Sequence, residues 1–191
     1  MRISLGIATR GEVCIETTMG LLHMLKETPH EFHLNFHKGT YLGELRNAML
    51  NDAREVKADY LMFVDTDIIF PPDGLNRLLA KNKDIIGGMY NMKSLPLINT
   101  IKMADKDGKI IPVTDFEVPN KPFQCYAIPS GFMLIKLEAI KDMKNPFNFD
   151  YDEKGEFIGE DVGFCMRCQK AGLEIWCDPT INIGHIGSYV Y

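Results

Sequence analysis

The sequence predicts an α/β domain in which helices flank a mostly parallel central sheet. Short apolar segments alternate with helical patterns through residues 1–90, which is the order of elements in βαβ units. Leu61 to Val64 are all apolar and are followed at once by Asp65, as in a strand that is buried on both faces of a parallel sheet. The length of 191 residues fits one such domain, residues 1–191.

Hydrophobic periodicity predicts the elements of the first half. The pattern favours strands at 3–8, 31–36, 61–64 and 84–90, separated by helices at 13–25, 42–56 and 73–81. The apolar residues of the first helix are Ile15, Met19, Leu22 and Leu25. In the second strand, Phe32, Leu34 and Phe36 alternate with polar residues and fall on one face.

The second half is less regular. A β-hairpin is predicted around the turn at 105–108, and an irregular loop is predicted to follow it. The remaining predictions are strands at 125–128, 131–136 and 174–177, helices at 138–143 and 162–170, and a polar loop at 151–159.

Composition restricts the class of protein. The net charge of −5 argues against a large nucleic-acid-binding surface. No apolar run reaches the length of a membrane-spanning helix, and the first residues lack the apolar segment of a signal peptide. Five cysteines without disulfide spacing fit a reducing compartment, so we expect a cytoplasmic protein. Cys165 and Cys168 fall within an apolar helical pattern, which favours a structural role over a zinc site.

Two carboxylates follow the buried strand directly. Asp65-Thr66-Asp67 places them at the carboxyl end of the strand, where ligands bind in open α/β sheets. Carboxylate oxygens are suitable ligands for Mg²⁺ or Mn²⁺, which can bridge to substrate phosphates. The sequence therefore predicts a metal and phosphate site after this strand.

A second acidic pair, Glu160-Asp161, comes just before a helical pattern. Carboxylates at a helix N-terminus are stabilised by the exposed amides and the macrodipole, so Asp161 could serve only as a cap or a first-turn acid. The same position would keep the carboxylate ionised at neutral pH, which suits a general base. The residues alone leave both interpretations open.

Four blocks of this sequence together resemble the GT-A glycosyltransferases, especially the large inverting family two. These blocks are Tyr60–Leu79, Ser130–Lys136, Gly159–Gly172 and Pro179–His185, and they occur in that family's order over most of the chain. Family members often have an acid where this chain has Gly163, which indicates a change in local support. The fold implied is a single GT-A, or Rossmann-like, domain. Residues 1–90 would bind the nucleotide-sugar, and residues 91–191 would form the acceptor and catalytic half.

The resemblance also implies roles for single residues. Asp161 would be the catalytic base, and Glu160 would orient the acceptor or its loop. Asp67 and His185 would hold Mn²⁺ (or Mg²⁺), with Asp65 directed toward the metal or the ribose. The implied donor-binding residues are Thr9, Arg10, Arg46, Asp65, Ser130 and Gly131.

The activity implied is metal-dependent transfer of a sugar, with inversion, from a UDP- or GDP-sugar to an acceptor hydroxyl. The acceptor could be a glycan, a protein or a small molecule, and Phe147 to Tyr151 could either stack on an acceptor sugar or pack internally. Two alternatives stay open. One is a sugar-phosphate nucleotidyltransferase, although Thr9-Arg10-Gly11 is a poor match to the Gly-rich loop it would need. The other is a non-catalytic module that binds a sugar-nucleotide or a glycan.

Overall fold

The computed structural model describes residues 1–106, 110–112 and 118–187. Its helices are α1 Ile15–Glu27, α2 Leu42–Glu55, α3 Gly74–Ala80 and α4 Glu160–Lys170, with a 3₁₀ turn at Leu137–Ile140. Its strands are β1 Arg2–Thr9, β2 Glu31–Lys38, β3 Tyr60–Val64, β4 Ile68–Ile69, β5 Ile85–Gly88, β6 Lys102–Ala104, β7 Ile110–Pro112, β8 Phe123–Cys125, β9 Phe132–Lys136, β10 Asp150–Tyr151, β11 Phe157–Ile158, β12 Ile175–Asp178 and β13 Gly184–His185.

The main sheet has seven strands in the order β2-β1-β3-β9-β5-β12-β8. β1 pairs in parallel with β2 and β3, and β12 pairs in parallel with β5. β9 lies antiparallel between β3 and β5, and β8 is antiparallel to β12. Most of the strands therefore run in one direction, which confirms the predicted α/β class with a mostly parallel sheet.

Helices cover both faces of this sheet. Alternate residues of β3 divide between the two sides: Leu61 and Phe63 pack in the cluster that contains α2 and α4, whereas Met62 and Val64 pack in the cluster of α1 and α3. All four side chains are at most 1% exposed. The strand is thus buried on both faces, as its apolar sequence predicts.

Helix α1 buries Leu21 and Met24 together with Thr17, rather than most of the apolar residues that predicted it. Ile15, Met19 and Leu22 are 67%, 44% and 55% exposed. Thr17 is buried instead, and its hydroxyl donates to Ile68 O at 2.8 Å, so this polar residue is satisfied at the inner face. The apolar spacing predicted the helix correctly but not its buried face.

For strand β2, too, the apolar pattern predicted the element correctly but not the face that is buried. Leu34 and Phe36 alternate as a buried face would, yet both are about half exposed. β2 is the edge strand of the sheet, so a side chain on it has a neighbouring strand on one side only. Asn35, on the opposite face, is buried and donates to Met49 O at 2.9 Å.

The second half departs further from the predicted elements. The antiparallel pair β6–β7 confirms a hairpin, although residues 107–108 of its predicted turn lie outside the described residues. The strand predicted at 125–128 is wrong, because β8 ends at Cys125 and Ala127 makes only an isolated bridge to Lys102. The predicted polar loop at 151–159 contains the short antiparallel pair β10–β11.

The sheet brings several chain segments to one edge. β1, β3 and β5 run in the same direction, so the residues that follow them lie at a common edge. β9 runs the opposite way, which places the residues that precede it, Ser130 and Gly131, at that edge beside Asp65. Among the described residues, no helix is long and apolar enough to cross a membrane.

Candidate active site

The two aspartates after β3 meet the late histidine through a short strand pairing. β4 pairs with β13 and sets His185 opposite Ile68, which follows Asp67 directly. Ile186 N donates to Asp67 O at 2.7 Å and fixes this approach. His185 Nε2 consequently lies 3.6 Å from Asp67 Oδ1. The structure thus brings together two of the predicted metal ligands that are far apart in sequence.

Arg46 of α2 links two of the predicted acidic residues. Its Nη2 donates to Asp65 Oδ1 at 3.1 Å, and its Nε donates to Glu160 Oε1 at 3.3 Å. A further bond runs from Nη1 to Ser130 O at 3.4 Å, and the guanidinium carbon lies 5.0 Å from the centroid of the Phe63 ring. The side chain is only 4% exposed.

This placement changes the interpretation of Arg46. A guanidinium that is buried between two carboxylates positions them and is not presented to a phosphate. Burial disfavours its charge, but Asp65, Glu160 and the further neighbours Asp161 and Tyr90 together offset that effect, and the pKa of Arg46 is raised. We therefore assign Arg46 the task of holding Asp65 and Glu160 in place.

Ser130 and Gly131 form the floor of the same cluster and are both buried. Asp65 N donates to Gly131 O at 2.9 Å. A Cβ on Gly131 would lie 2.1 Å from Tyr90 Oη and 2.5 Å from Asp65 Oδ2, so only glycine permits this close approach. The Ser130 hydroxyl is buried and has no protein partner among the described residues.

Glu160 and Asp161 occupy the first turn of α4. Asp161 Oδ1 accepts a bond from Val162 N at 2.7 Å, so the carboxylate does help to satisfy the helix end. Burial, together with the neighbouring Glu160, nevertheless raises the pKa of Asp161, although the Val162 amide and Arg46 oppose this shift. The helix terminus therefore does not set the direction of this shift, and a raised pKa makes Asp161 a stronger base when it is ionised.

A cavity of about 1190 Å³ opens beside Asp65 and Asp67. Its lining includes the turn after β1 and the end of β2. A cavity of this volume is large enough for a nucleotide-sized ligand. Thr9 lines this cavity, but its hydroxyl donates to Glu12 O at 2.8 Å and accepts from Gly11 N at 2.9 Å, so it shapes the turn. Arg10 lies exposed in the lining.

The donor set near Asp67 fits a divalent ion of the Mn²⁺ or Mg²⁺ type. His185 Nδ1 lies 2.9 Å from Asn91 O, and a hydrogen bond to that carbonyl leaves Nε2 as the acceptor nitrogen facing Asp67. Carboxylate and imidazole together suit Mn²⁺. Asp65 is engaged by Arg46, so Asp67 and His185 are the residues that would hold the ion. With two protein ligands, the remaining positions would go to water and donor phosphates.

Sequence reasoning missed three residues of the site. Lys93 Nζ donates to Asp67 Oδ2, Asn91 O orients His185, and Tyr90 lies against both Gly131 and the His185 ring, whose centroid is 5.1 Å away. Burial, reinforced by Asp65, raises the pKa of Tyr90 well above its ordinary value and keeps the phenol protonated. The feature of the sequence that could have identified these three residues is their position just after β5, at the carboxyl edge of the sheet.

An exposed aromatic cluster precedes Glu160 and Asp161 in the sequence. Phe149, Tyr151 and Phe157, carried on and next to the β10–β11 hairpin, are 59%, 59% and 65% exposed. Their ring centroids are 5.7–6.3 Å apart. Phe147, predicted as part of an aromatic segment with Phe149, is fully buried instead and stacks on Phe164 of α4.

The Cys-x-x-Cys of α4 belongs to the core. Cys165 and Cys168 are fully buried, and their thiols lie 3.9 Å from Ile128 O and 4.0 Å from Met143 Sδ. Burial raises the pKa of Cys168 to about 12, so the reactive thiolate is disfavoured. This packing supports the structural role expected of these cysteines.

The fold and the edge-of-sheet site define the class of protein as a GT-A glycosyltransferase, which confirms the resemblance. Over residues 26–187 the chain matches the model described as glycosyltransferase family 25, N-terminal domain, and it belongs to that family. The chain is therefore a glycosyltransferase domain.

Individual relatives agree with this assignment. Procollagen galactosyltransferase 1-A of Xenopus laevis is 36% identical over 164 residues, which cover 81% of this chain but only 26% of that protein. The chain thus spans about a quarter of that relative's length.

Solved structures share the fold at low sequence identity. The crystal structure of A197 from STIV matches with a TM-score of 0.70 and 21% identity, covering 98% of this chain and 87% of that one. GalNAc-T7 with UDP, GalNAc and Mn²⁺ matches with a TM-score of 0.58 and 11% identity, covering 98% of this chain and 44% of that one. At these identities the likeness shows the fold alone.

Proposed function

We propose that this domain transfers a sugar from a nucleoside-diphosphate donor to an acceptor hydroxyl, with inversion at the anomeric carbon and with the help of a divalent ion. The observation that carries the proposal is the meeting of Asp67 and His185 across the β4–β13 pair, at the rim of the cavity beside Asp65. A metal bound there would neutralise charge on the departing diphosphate.

The donor would occupy the cavity next to β1 and β3. The name of the Xenopus laevis relative makes a galactosyl donor the first to test, and UDP in the GalNAc-T7 structure makes UDP the first nucleotide. We propose UDP-galactose on these grounds, with GDP-sugars as the alternative. Within the cavity, Arg10 is the exposed cation of the β1 turn and would contact the nucleotide.

Asp161 would act as the general base. In this single displacement the acceptor oxygen bonds to the anomeric carbon as the bond from that carbon to the diphosphate oxygen breaks. The hydroxyl proton passes to the Asp161 carboxylate. The raised pKa of Asp161 favours this transfer, while Arg46 keeps Glu160 and Asp65 fixed on either side. A base across from the leaving group gives inversion.

Calorimetry on the purified chain tests the metal site. UDP should bind more tightly as Mn²⁺ is raised, and Asp67→Ala or His185→Ala should remove that dependence, because they take away the two protein ligands. Asp142→Ala removes an exposed carboxylate elsewhere and serves as the control. Persistence of the full Mn²⁺ dependence in both site variants would refute the assignment. NMR of the product would then show whether the anomeric configuration inverts. The cytoplasmic location stays a prediction of the sequence.

A further inference from the structure

Lys93 lies in the segment that follows β5 and contacts Asp67. Its ammonium donates to Asp67 Oδ2, and the side chain is 40% exposed while that of Asp67 is 31% exposed. Lys93 also lines the same cavity as Asp65 and Asp67. A flexible cation therefore contacts a predicted metal ligand on the surface that the donor would occupy.

The two oxygens of Asp67 face two different cationic or coordinating groups. His185 Nε2 is 3.6 Å from Oδ1, and Lys93 contacts Oδ2. A divalent ion that ligates Asp67 would compete with the ammonium, since both are attracted to the same carboxylate.

Neighbouring residues hold the backbone and stem of Lys93, whereas its ammonium lies at a partly exposed position beside Asp67. Met92 N donates to Ile98 O at 2.8 Å, and Asn91 bridges to Asn99, so the segment is closed into a loop. A Cβ on Gly187 would lie 3.7 Å from Lys93 Cδ, in ordinary contact with the stem. Lysine rotamers beyond this anchored stem allow the ammonium to change partners at little cost.

We infer that Lys93 is a diphosphate ligand that exchanges partners: it pairs with Asp67 until a divalent ion ligates that carboxylate, and it then passes to the diphosphate of the donor. The inference rests on the proposed function. It follows from charge, because an ammonium displaced from Asp67 would still line the cavity proposed for the donor and would attract a diphosphate bound there. Lysine is a common point-charge ligand for phosphate.

Lys93→Met tests this exchange, because methionine keeps most of the stem and removes the charge. Manganese binding without nucleotide, followed by electron paramagnetic resonance, should tighten by roughly threefold to tenfold, since the competing ammonium is gone. UDP binding at saturating Mn²⁺, followed by calorimetry, should weaken by about tenfold. Lys93→Arg retains the charge and should recover most of the UDP affinity.

Lys141→Met is the matched control. It removes the same charge from an exposed pair with Glu138, away from the cavity. Equal changes in this control would show only a general effect of net charge and would overturn the inference. Unchanged Mn²⁺ affinity, or unchanged UDP affinity, in Lys93→Met would also overturn it. A failure of the proposed function itself can be distinguished from a failure of this inference. In that case UDP binding to the wild-type protein would not depend on Mn²⁺.

Discussion

The cluster around Arg46 and the aromatic hairpin differ in how the fold holds them. Arg46, Asp65 and Glu160 come from three elements and are joined by direct ion pairs around a guanidinium that is 4% exposed. Phe149, Tyr151 and Phe157 contact one another and are each more than half exposed. The first region is fixed by burial, and the second is held by a hairpin of two-residue strands.

This difference fits the two tasks of a sugar transfer. We propose that the ionic cluster holds the carboxylates beside the proposed base, and positioning groups of this kind act best when they are already in place. We propose that the exposed hairpin forms part of the acceptor surface, because an acceptor must enter and its product must leave. Short strands and few buried contacts also make the hairpin the less stable region.

The largest effect is expected from Asp161→Asn. The variant keeps the shape and can still accept from Val162 N, but it loses the basic oxygen, so turnover should fall by about 10² to 10⁴. UDP affinity should change little, which a calorimetric titration beside the kinetic assay would show. Asp142→Asn makes the same chemical change on the surface and should leave turnover intact. Lost UDP binding without a specific loss of turnover would reduce Asp161 to a helix cap.

The same variant separates function from stability. The folded pKa of Asp161 lies above its ordinary value of 3.8, so the protonated carboxyl stabilises the fold at low pH and that contribution is lost as pH rises through the folded pKa. At neutral pH the ionised carboxylate therefore costs stability, and Asp161→Asn should melt at a higher temperature than wild type. Thermal unfolding at pH 7 and near pH 4 should show this difference shrinking in acid.

Part of this site could be predicted from the sequence, because its residues are adjacent in the chain to a recognisable strand or helix. Asp65 and Asp67 directly follow a strand whose apolar run is unmistakable, and Glu160 and Asp161 directly precede a helical pattern. Since the chain direction fixes which end of each element they occupy, their position at the edge of the sheet could be predicted. The layer arrangement and the sheet class follow from the same local patterns.

Other parts depend on contacts between distant segments. The pairing of β4 with β13 involves two residues from each strand, too short a run for a periodic signal. The partner of Lys93 depends on how the segment after β5 turns back, which no local pattern specifies. Gly163 is explained only by the folded chain, because a Cβ there would lie 2.8 Å from Asn148 O.

A smaller effect, on stability, is expected from Arg46→Met. Removing the guanidinium leaves Asp65 and Glu160 partly buried without their partner, and breaking such a pair typically costs about 3 kcal/mol or more. Urea unfolding should show this loss in the free energy of unfolding. Arg77→Met is the control, since Arg77 bonds Thr180 near the surface and its loss should cost about 1 kcal/mol. Equal losses in both variants would show that the cluster does not depend on Arg46.

The smallest effect is expected from the hairpin, and it separates the two regions most directly. Replacing Phe149, Tyr151 and Phe157 together by alanine removes an exposed stacking surface that ends three residues before Glu160. Stacking of this kind is worth about 0.5–1.5 kcal/mol. Once a UDP-release assay has identified an acceptor, the KM for that acceptor should therefore rise roughly threefold to tenfold. UDP binding and the slow hydrolysis of UDP-galactose by water should stay unchanged, because neither uses the acceptor surface. Phe36→Ala, on the edge strand β2, removes an equally exposed ring and should leave KM unaffected. If the triple variant instead weakened UDP binding while acceptor KM held constant, the hairpin would belong with the ionic cluster on the donor side.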